Sequence, residues 1–131
     1  MKRKICFITG SRAEYGLLRK LIIMSQEDKL VNTQIIVTGS HLSKKHGYTF
    51  KEIEKDDIKI SDKVNLNLKG DSPKDVIHSM SIGLKGFSDS FNKLQPDLIV
   101  ILGDRYEIFA VATAAMIMNI PIAHIHGGEV T

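Results

Sequence analysis

KICFITGSRAEYGLLRKLIIM, residues 4–24, decides the fold. Its opening, Lys4–Thr9, is a short apolar run closed by Gly10, which reads as a strand buried on both faces. Ser11-Arg12-Ala13-Glu14 follows at once. This is the S-x-x-E pattern in which the two polar side chains satisfy free N–H groups at a helix start. The remainder repeats apolar residues at helical spacing, with Leu17, Leu18, Leu21 and Met24 expected on the buried face. A buried strand running directly into a capped helix is the first half of a βαβ unit.

Outward from this stretch the pattern repeats. Gln34–Thr38, Val64–Leu68, Asp97–Leu102 and Pro121–Ile125 read as four more strands, and the period-two VNLNL of 64–68 suits a half-exposed edge. Ser72-Pro73, with Asp75 at the third helical position, starts a long helix. Ile77, Met80, Leu84, Phe87, Phe91 and Leu94 form its stripe, which packs on a sheet or, alternatively, forms a dimer seam. Gly83 and Gly86 weaken that helix and permit close packing. Tyr106–Met118 is apolar nearly all round, so cover is expected on both sides. His41–Ile60 is the least regular part, with Lys44–Tyr48 read as a mobile loop. Right-handed crossovers then give an α/β, Rossmann-like, doubly wound parallel sheet of order 3-2-1-4-5, one domain over residues 1–131. Gly127–Thr131 reads as a loop leading onward, so the chain is expected to be a fragment of a longer protein.

Composition narrows the function. With 43% hydrophobic and 25% charged residues, the 131-residue chain reads as an ordinary soluble domain. Its net charge of +3 is scattered, which argues against a nucleic-acid groove. The apolar run after MKRK is too short for a secretory signal, and no stretch approaches a membrane span. Cys6, the single cysteine, sits in an apolar run and reads as a core thiol, which fits a cytoplasmic protein.

In an open α/β sheet, ligands bind beyond the carboxyl ends of the strands where strand order reverses, here between the first and fourth strands. The segments 9–14, 38–41, 103–107 and 124–129 converge on that rim, bringing Arg12, Arg105, His41, His124, His126 and several carboxylates. Capping alone accounts for Ser11 and Glu14. Asp104 and Glu107 spell a D-x-x-E box, so Asp104 can cap a helix as well as serve chemistry. His124 and His126 are two apart on a strand and share a face. Facing the core they are hydrogen-bonded structural groups; facing the cleft they suggest acid–base work or a metal. Neither G-x-G-x-x-G nor G-x-x-x-x-G-K-[ST] occurs, so arginine rather than a glycine nest is expected to meet an anion.

TGSRAEYGLL (9–18), VTGSHLS (37–43), PDLIVILGDRYEIFA (96–110) and IPIAHIHGGEVT (120–131) together resemble the hydrolysing UDP-N-acetylglucosamine 2-epimerases, in particular the bacterial sialic and legionaminic acid branch. The resemblance implies the first half of a glycosyltransferase-B-type two-domain fold, with the cleft between the domains as active site and this half inactive alone. It implies conversion of UDP-N-acetylglucosamine, or a 2,4-diacetamido analogue, to N-acetylmannosamine or its analogue plus UDP. The route would be loss of UDP to a glycal followed by hydration. No metal or cofactor is implied; a UDP-sugar substrate and a homo-oligomer, dimer or tetramer, are. By the same resemblance Asp104, His126 and Glu129 are catalytic, and Arg12, His41, Arg105 and His124 bind substrate. His126 stands where many relatives carry a catalytic Glu, which passes proton transfer to His126, to Glu129 or to a carboxylate in the continuation expected after residue 131. The rival readings are a non-hydrolysing epimerase, a metal hydrolase built on His41, Asp104, His124 and His126, and a nucleotide-sugar-binding module without chemistry.

Overall fold

The computed structural model describes residues 2–127. Five strands form one sheet: β1 (Arg3–Thr9), β2 (Val31–Thr38), β3 (Asp62–Val64), β4 (Leu98–Leu102) and β5 (Ile122–Ile125). Their order is β3-β2-β1-β4-β5 and every pairing is parallel, as the alternation of runs and helices predicts. All five carboxyl ends therefore lie on one rim.

The helices α1 (Arg12–Glu27), α2 (Phe50–Lys55), α3 (Pro73–Leu94) and α4 (Tyr106–Ile117) clothe the sheet. Side chains alternate across it. Cys6, Ile8, Ile36, Ile99 and Ile101 pack with Phe87 and Phe91 of α3 and Ile108 and Val111 of α4. Phe7, Ile35, Val37, Val100 and Leu102 pack on the other side with Tyr15, Leu18 and Ile22 of α1 and Ile53 of α2. Two cores on opposite faces require unbroken apolar strands, which is why Lys4–Thr9 does not alternate. Ser11 caps α1 by accepting from the Glu14 N–H at 3.2 Å, and Ser72 caps α3 by accepting from the Asp75 N–H at 3.1 Å.

Several expectations need correcting. The buried face of α1 is Tyr15, Leu18 and Ile22; Leu17, Leu21 and Met24 are exposed. The helix carries two apolar stripes, and only its angle to the sheet selects between them. The edge strand ends at Val64, because Asn65 Oδ1 accepts from the Asn67 N–H and Asn67 turns left-handed at φ 50°. Leu66 is nevertheless buried under α3. The irregular 41–60 region contains α2, which is too short to show periodicity, and Lys44–His46 of the expected loop form a 3₁₀ turn. Tyr15 Oη and Arg19 Nε both donate to Asp56 at the end of α2, at 2.5 and 2.9 Å, tying it to α1. Finally, α4 is covered on one side only: Phe109, Met116 and Ile117 are exposed.

The helical glycines do permit close approach. A Cβ on Gly83 would stand 2.9 Å from Leu66 Cδ2, and one on Gly86 2.5 Å from Val64 Cγ1, so α3 presses directly on β3 and its continuation.

Candidate functional site

The rim is built outward from Gly10, where β1 gives way to α1. The Gly10 carbonyl accepts from Ser40 N at 2.9 Å and Ser40 Oγ at 3.0 Å, strapping the ends of β1 and β2 together. The Gly10 N–H donates to Glu14 Oε1 at 2.9 Å. The capping box is thus closed one residue earlier than the usual pattern, since its glutamate reaches Gly10 rather than the cap residue.

His41 does not present itself to the cleft. It is fully buried, with Nε2 2.9 Å from Thr9 Oγ1 and Nδ1 2.9 Å from Thr49 Oγ1. The Thr9 hydroxyl donates to the Ser11 carbonyl at 3.2 Å, so Nε2 is the donor to Thr9 and Nδ1 accepts from Thr49. Burial lowers the His41 pKa to about 4, partly opposed by the Ser11 carbonyl. A neutral imidazole with both nitrogens occupied is a strut between β1 and the segment before α2. That geometry also takes His41 out of the metal-ligand set, and no group of three potential ligands gathers among the described residues.

Arg12 opens α1 with its side chain 74% exposed, its Nε 3.1 Å from Glu52 of α2. At the end of β4, Gly103 turns at φ 86° and α4 starts at Tyr106 with Arg105 as its cap residue and no side-chain cap bond. The expected D-x-x-E box therefore does not form. Asp104 is exposed and has no hydrogen-bond partner among the described residues. Glu107 turns inward instead, 2% exposed, and accepts from Arg105 Nε at 2.7 Å.

At the end of β5, His124 Nε2 donates to the Gly103 carbonyl at 2.6 Å, fastening the two strand ends. Its ring leaves no room for a side chain at Gly127. The expectation that His124 and His126 share a strand face fails, because β5 ends at Ile125 and His126 turns left-handed at φ 58°. His126 is exposed on the turn. Glu129 lies outside the described residues.

A cavity of about 420 Å³ opens on this rim, lined by Ser40, Ser43, Lys45, His46, Leu68, Lys69, Gly70, Asp71, Arg105 and Tyr106. Of the described residues given a catalytic or binding role from sequence, Arg105 alone lines it, beside Ser40 and Tyr106 from the same converging segments. Arg12, Asp104, His124 and His126 stand on the same rim at neighbouring strand ends. Sequence reasoning missed Lys45, His46 and Lys69, whose only signal was their place after β2 and β3. It read Glu14 as a capping residue, which the Gly10 N–H bond bears out, and offered Glu107 as a capping partner, but it did not foresee that both are buried carboxylates.

Comparison with known proteins agrees with this architecture. Residues 24–131 match the family model described as UDP-N-acetylglucosamine 2-epimerase. The chain belongs to this family. It is 48% identical over 130 residues to a GDP/UDP-N,N'-diacetylbacillosamine 2-epimerase (hydrolyzing) of Campylobacter jejuni, covering 99% of this chain and 34% of that relative. It is 45% identical over 129 residues to a polysialic acid biosynthesis protein of Escherichia coli, covering 98% and 33%. A crystal structure of a UDP-N-acetylglucosamine 2-epimerase superposes with a TM-score of 0.86 at 21% identity, covering all of this chain and 35% of that one, which establishes the shared fold. The chain spans about a third of the length of the curated epimerase-family relatives it matches. No helix among the described residues is long and apolar enough to cross a membrane.

Proposed function

We propose that the protein carrying this chain is a hydrolysing 2-epimerase. It takes UDP-N-acetylglucosamine or a 2,4-diacetamido analogue and releases UDP with N-acetylmannosamine or the corresponding analogue, feeding sialic-acid-type sugar synthesis. The chain is the amino-terminal domain, 1–131, and forms one wall of the cleft; a second domain supplies the rest. The observation that carries this reading is Asp104: a carboxylate at the end of β4, beside the reversal of strand order, exposed and engaged in no cap. The Campylobacter jejuni relative, whose name carries the hydrolysing activity, supports the hydrolysing outcome.

The chemistry follows from bond balance. A base removes the proton from C2 of the sugar, the C1–O bond to UDP breaks with its electron pair going to the diphosphate, and a C1=C2 double bond forms. Water then adds, its hydroxyl to C1 and a proton to the opposite face of C2. Two acid–base groups must flank C1 and C2, and cations must meet the leaving diphosphate. Asp104 and His126 are the acid–base pair, with Glu129 as the further carboxylate of the HGGE segment. Arg12 and Arg105 meet the diphosphate. His124 holds the β4 turn that presents Asp104, and His41 supports the substrate wall from behind through Thr9. The enzyme works without metal or cofactor, as a homo-oligomer in the cytoplasm.

The test is incubation of the protein with each sugar nucleotide in D₂O. Free UDP and a 2-epimeric sugar bearing deuterium at C2 are expected. A deuterated product still attached to UDP would instead show the non-hydrolysing reaction. Binding without turnover or exchange would leave a binding module.

A further inference from the structure

Glu107 is the buried acid that the proposed reaction leaves unexplained. Its side chain is 2% exposed, yet it is placed two residues after Arg105, whose side chain is 59% exposed. Oε1 accepts from Arg105 Nε at 2.7 Å, while Oε2 is buried without a hydrogen-bond partner among the described residues. A carboxylate kept dry with one oxygen unsatisfied is costly. Its surroundings make it no cheaper. Glu14 is also buried with Oε2 unsatisfied, and its pKa is raised first by burial and further by the charge of Glu107. Gly10 makes room for this arrangement: a Cβ there would stand 3.0 Å from both Cγ and Oε1 of Glu107.

The bond engages Arg105 by one edge. A guanidinium is planar and carries its donors in a fixed fork. With Nε held by Glu107, rotation of the plane is restricted, and the two terminal nitrogens have no partner among the described residues. Arg105 lines the cavity on the rim. We propose that Glu107 is a positioning residue that fixes the Arg105 guanidinium so that its free nitrogens meet the diphosphate leaving group. The inference rests on the proposed reaction for its ligand.

The sign of the effect separates this role from simple electrostatics. A carboxylate beside an anion site repels the anion, so removing its charge should tighten binding. A positioning carboxylate does the reverse. Pyrophosphate affinity of the protein is to be measured calorimetrically for wild type, Glu107→Gln, Arg105→Met and the double variant. Glu107→Gln is expected to weaken binding about tenfold or more, and the double variant to bind no worse than Arg105→Met alone, the non-additivity of two residues acting as one. Glu107→Asp, which keeps the charge but shortens the reach, is the control should Glu107→Gln fold poorly, and it too is expected to lose affinity. Tighter binding in Glu107→Gln, additive losses, or wild-type affinity in Glu107→Asp would each overturn the proposal. In turnover, Glu107→Gln is expected to lower kcat/KM about a hundredfold, with kcat itself reduced; an unchanged kcat counts against it. Wild-type protein that releases no UDP from any sugar nucleotide would sink the proposed reaction, while the pyrophosphate cycle would still decide the role of Glu107.

Discussion

At the residue scale, Asp104 and His41 show how exposure separates a reactive group from a strut. Asp104 is exposed and makes no side-chain hydrogen bond or ion pair among the described residues, so Asp104→Asn should alter stability by no more than about 0.5 kcal/mol. Loss of a positioned acid–base group costs about 10²–10⁴-fold in rate. Asp104→Asn is therefore expected to fold normally and to release UDP at least about a hundredfold more slowly, checked by denaturant midpoints beside initial rates. Wild-type turnover would remove Asp104 from the reaction. His41 behaves oppositely. Its folded pKa of about 4 lies below the ordinary histidine value of 6.5, so the folded protein favours the neutral ring and the unfolded chain binds the proton first. The resulting stability is complete above about pH 6.5 and drains away as pH falls toward 4, by about 3 kcal/mol in all. Glu14 runs the other way, because its raised pKa favours folding at low pH. The contribution of His41 is thus read as a difference: urea midpoints of wild type should fall more steeply between pH 6.5 and 4 than those of His41→Gln. Parallel curves would show that the ring is not held neutral.

At the element scale, legibility depended on how local each signal was. Caps and buried strands are written within a few consecutive residues, so Ser11, Ser72 and the run ending at Thr9 were readable. The choice of buried face on α1 was not, since Tyr15-Leu18-Ile22 and Leu17-Leu21-Met24 are both apolar stripes and the sheet, not the helix, decides between them. The site divides the same way. Its strand-end segments could be placed from topology, but the meeting of Glu14, Glu107 and Arg105 around Gly10 joins two distant βα turns and has no signature in either. The inward turn of His41 likewise depends on Thr49, from an irregular stretch. Glycines show the contrast between local and tertiary control most directly. A Cβ on Gly16 in α1 would meet nothing within 4 Å, whereas one on Gly86 in α3 would strike Val64 Cγ1 at 2.5 Å. Gly16→Ala should stabilise the protein by about 0.5–1 kcal/mol through helix propensity. Gly86→Leu should destabilise it by about 1–3 kcal/mol through overpacking. Thermal melts of the two variants are expected to move in opposite directions; a shared direction would show that α3 does not press on β3 as described.

At the scale of the whole molecule, the sheet is covered on both faces but its covering layer is apolar outside as well as in. Phe109 and Met116 lie two turns apart on α4, 64% and 66% exposed, on the helix whose sequence called for cover all round. Burying such side chains contributes about 25 cal/mol per Å² of apolar surface, and exposed apolar stripes of this kind mark contact surfaces. Under the proposed homo-oligomer, the open side of α4 is the surface whose sequence most needs a second copy. Phe109→Glu places a charge there without touching the core, so the fold should persist while association weakens. Sedimentation is expected to show an assembled wild type and a Phe109→Glu variant shifted toward monomer at the same concentration, with far-UV spectra unchanged. Because Phe109 faces away from the sheet, a variant that keeps the wild-type mass would mean that α4 is not the seam, and that the exposed stripe of Leu17, Leu21 and Met24 on α1 is the next face to charge.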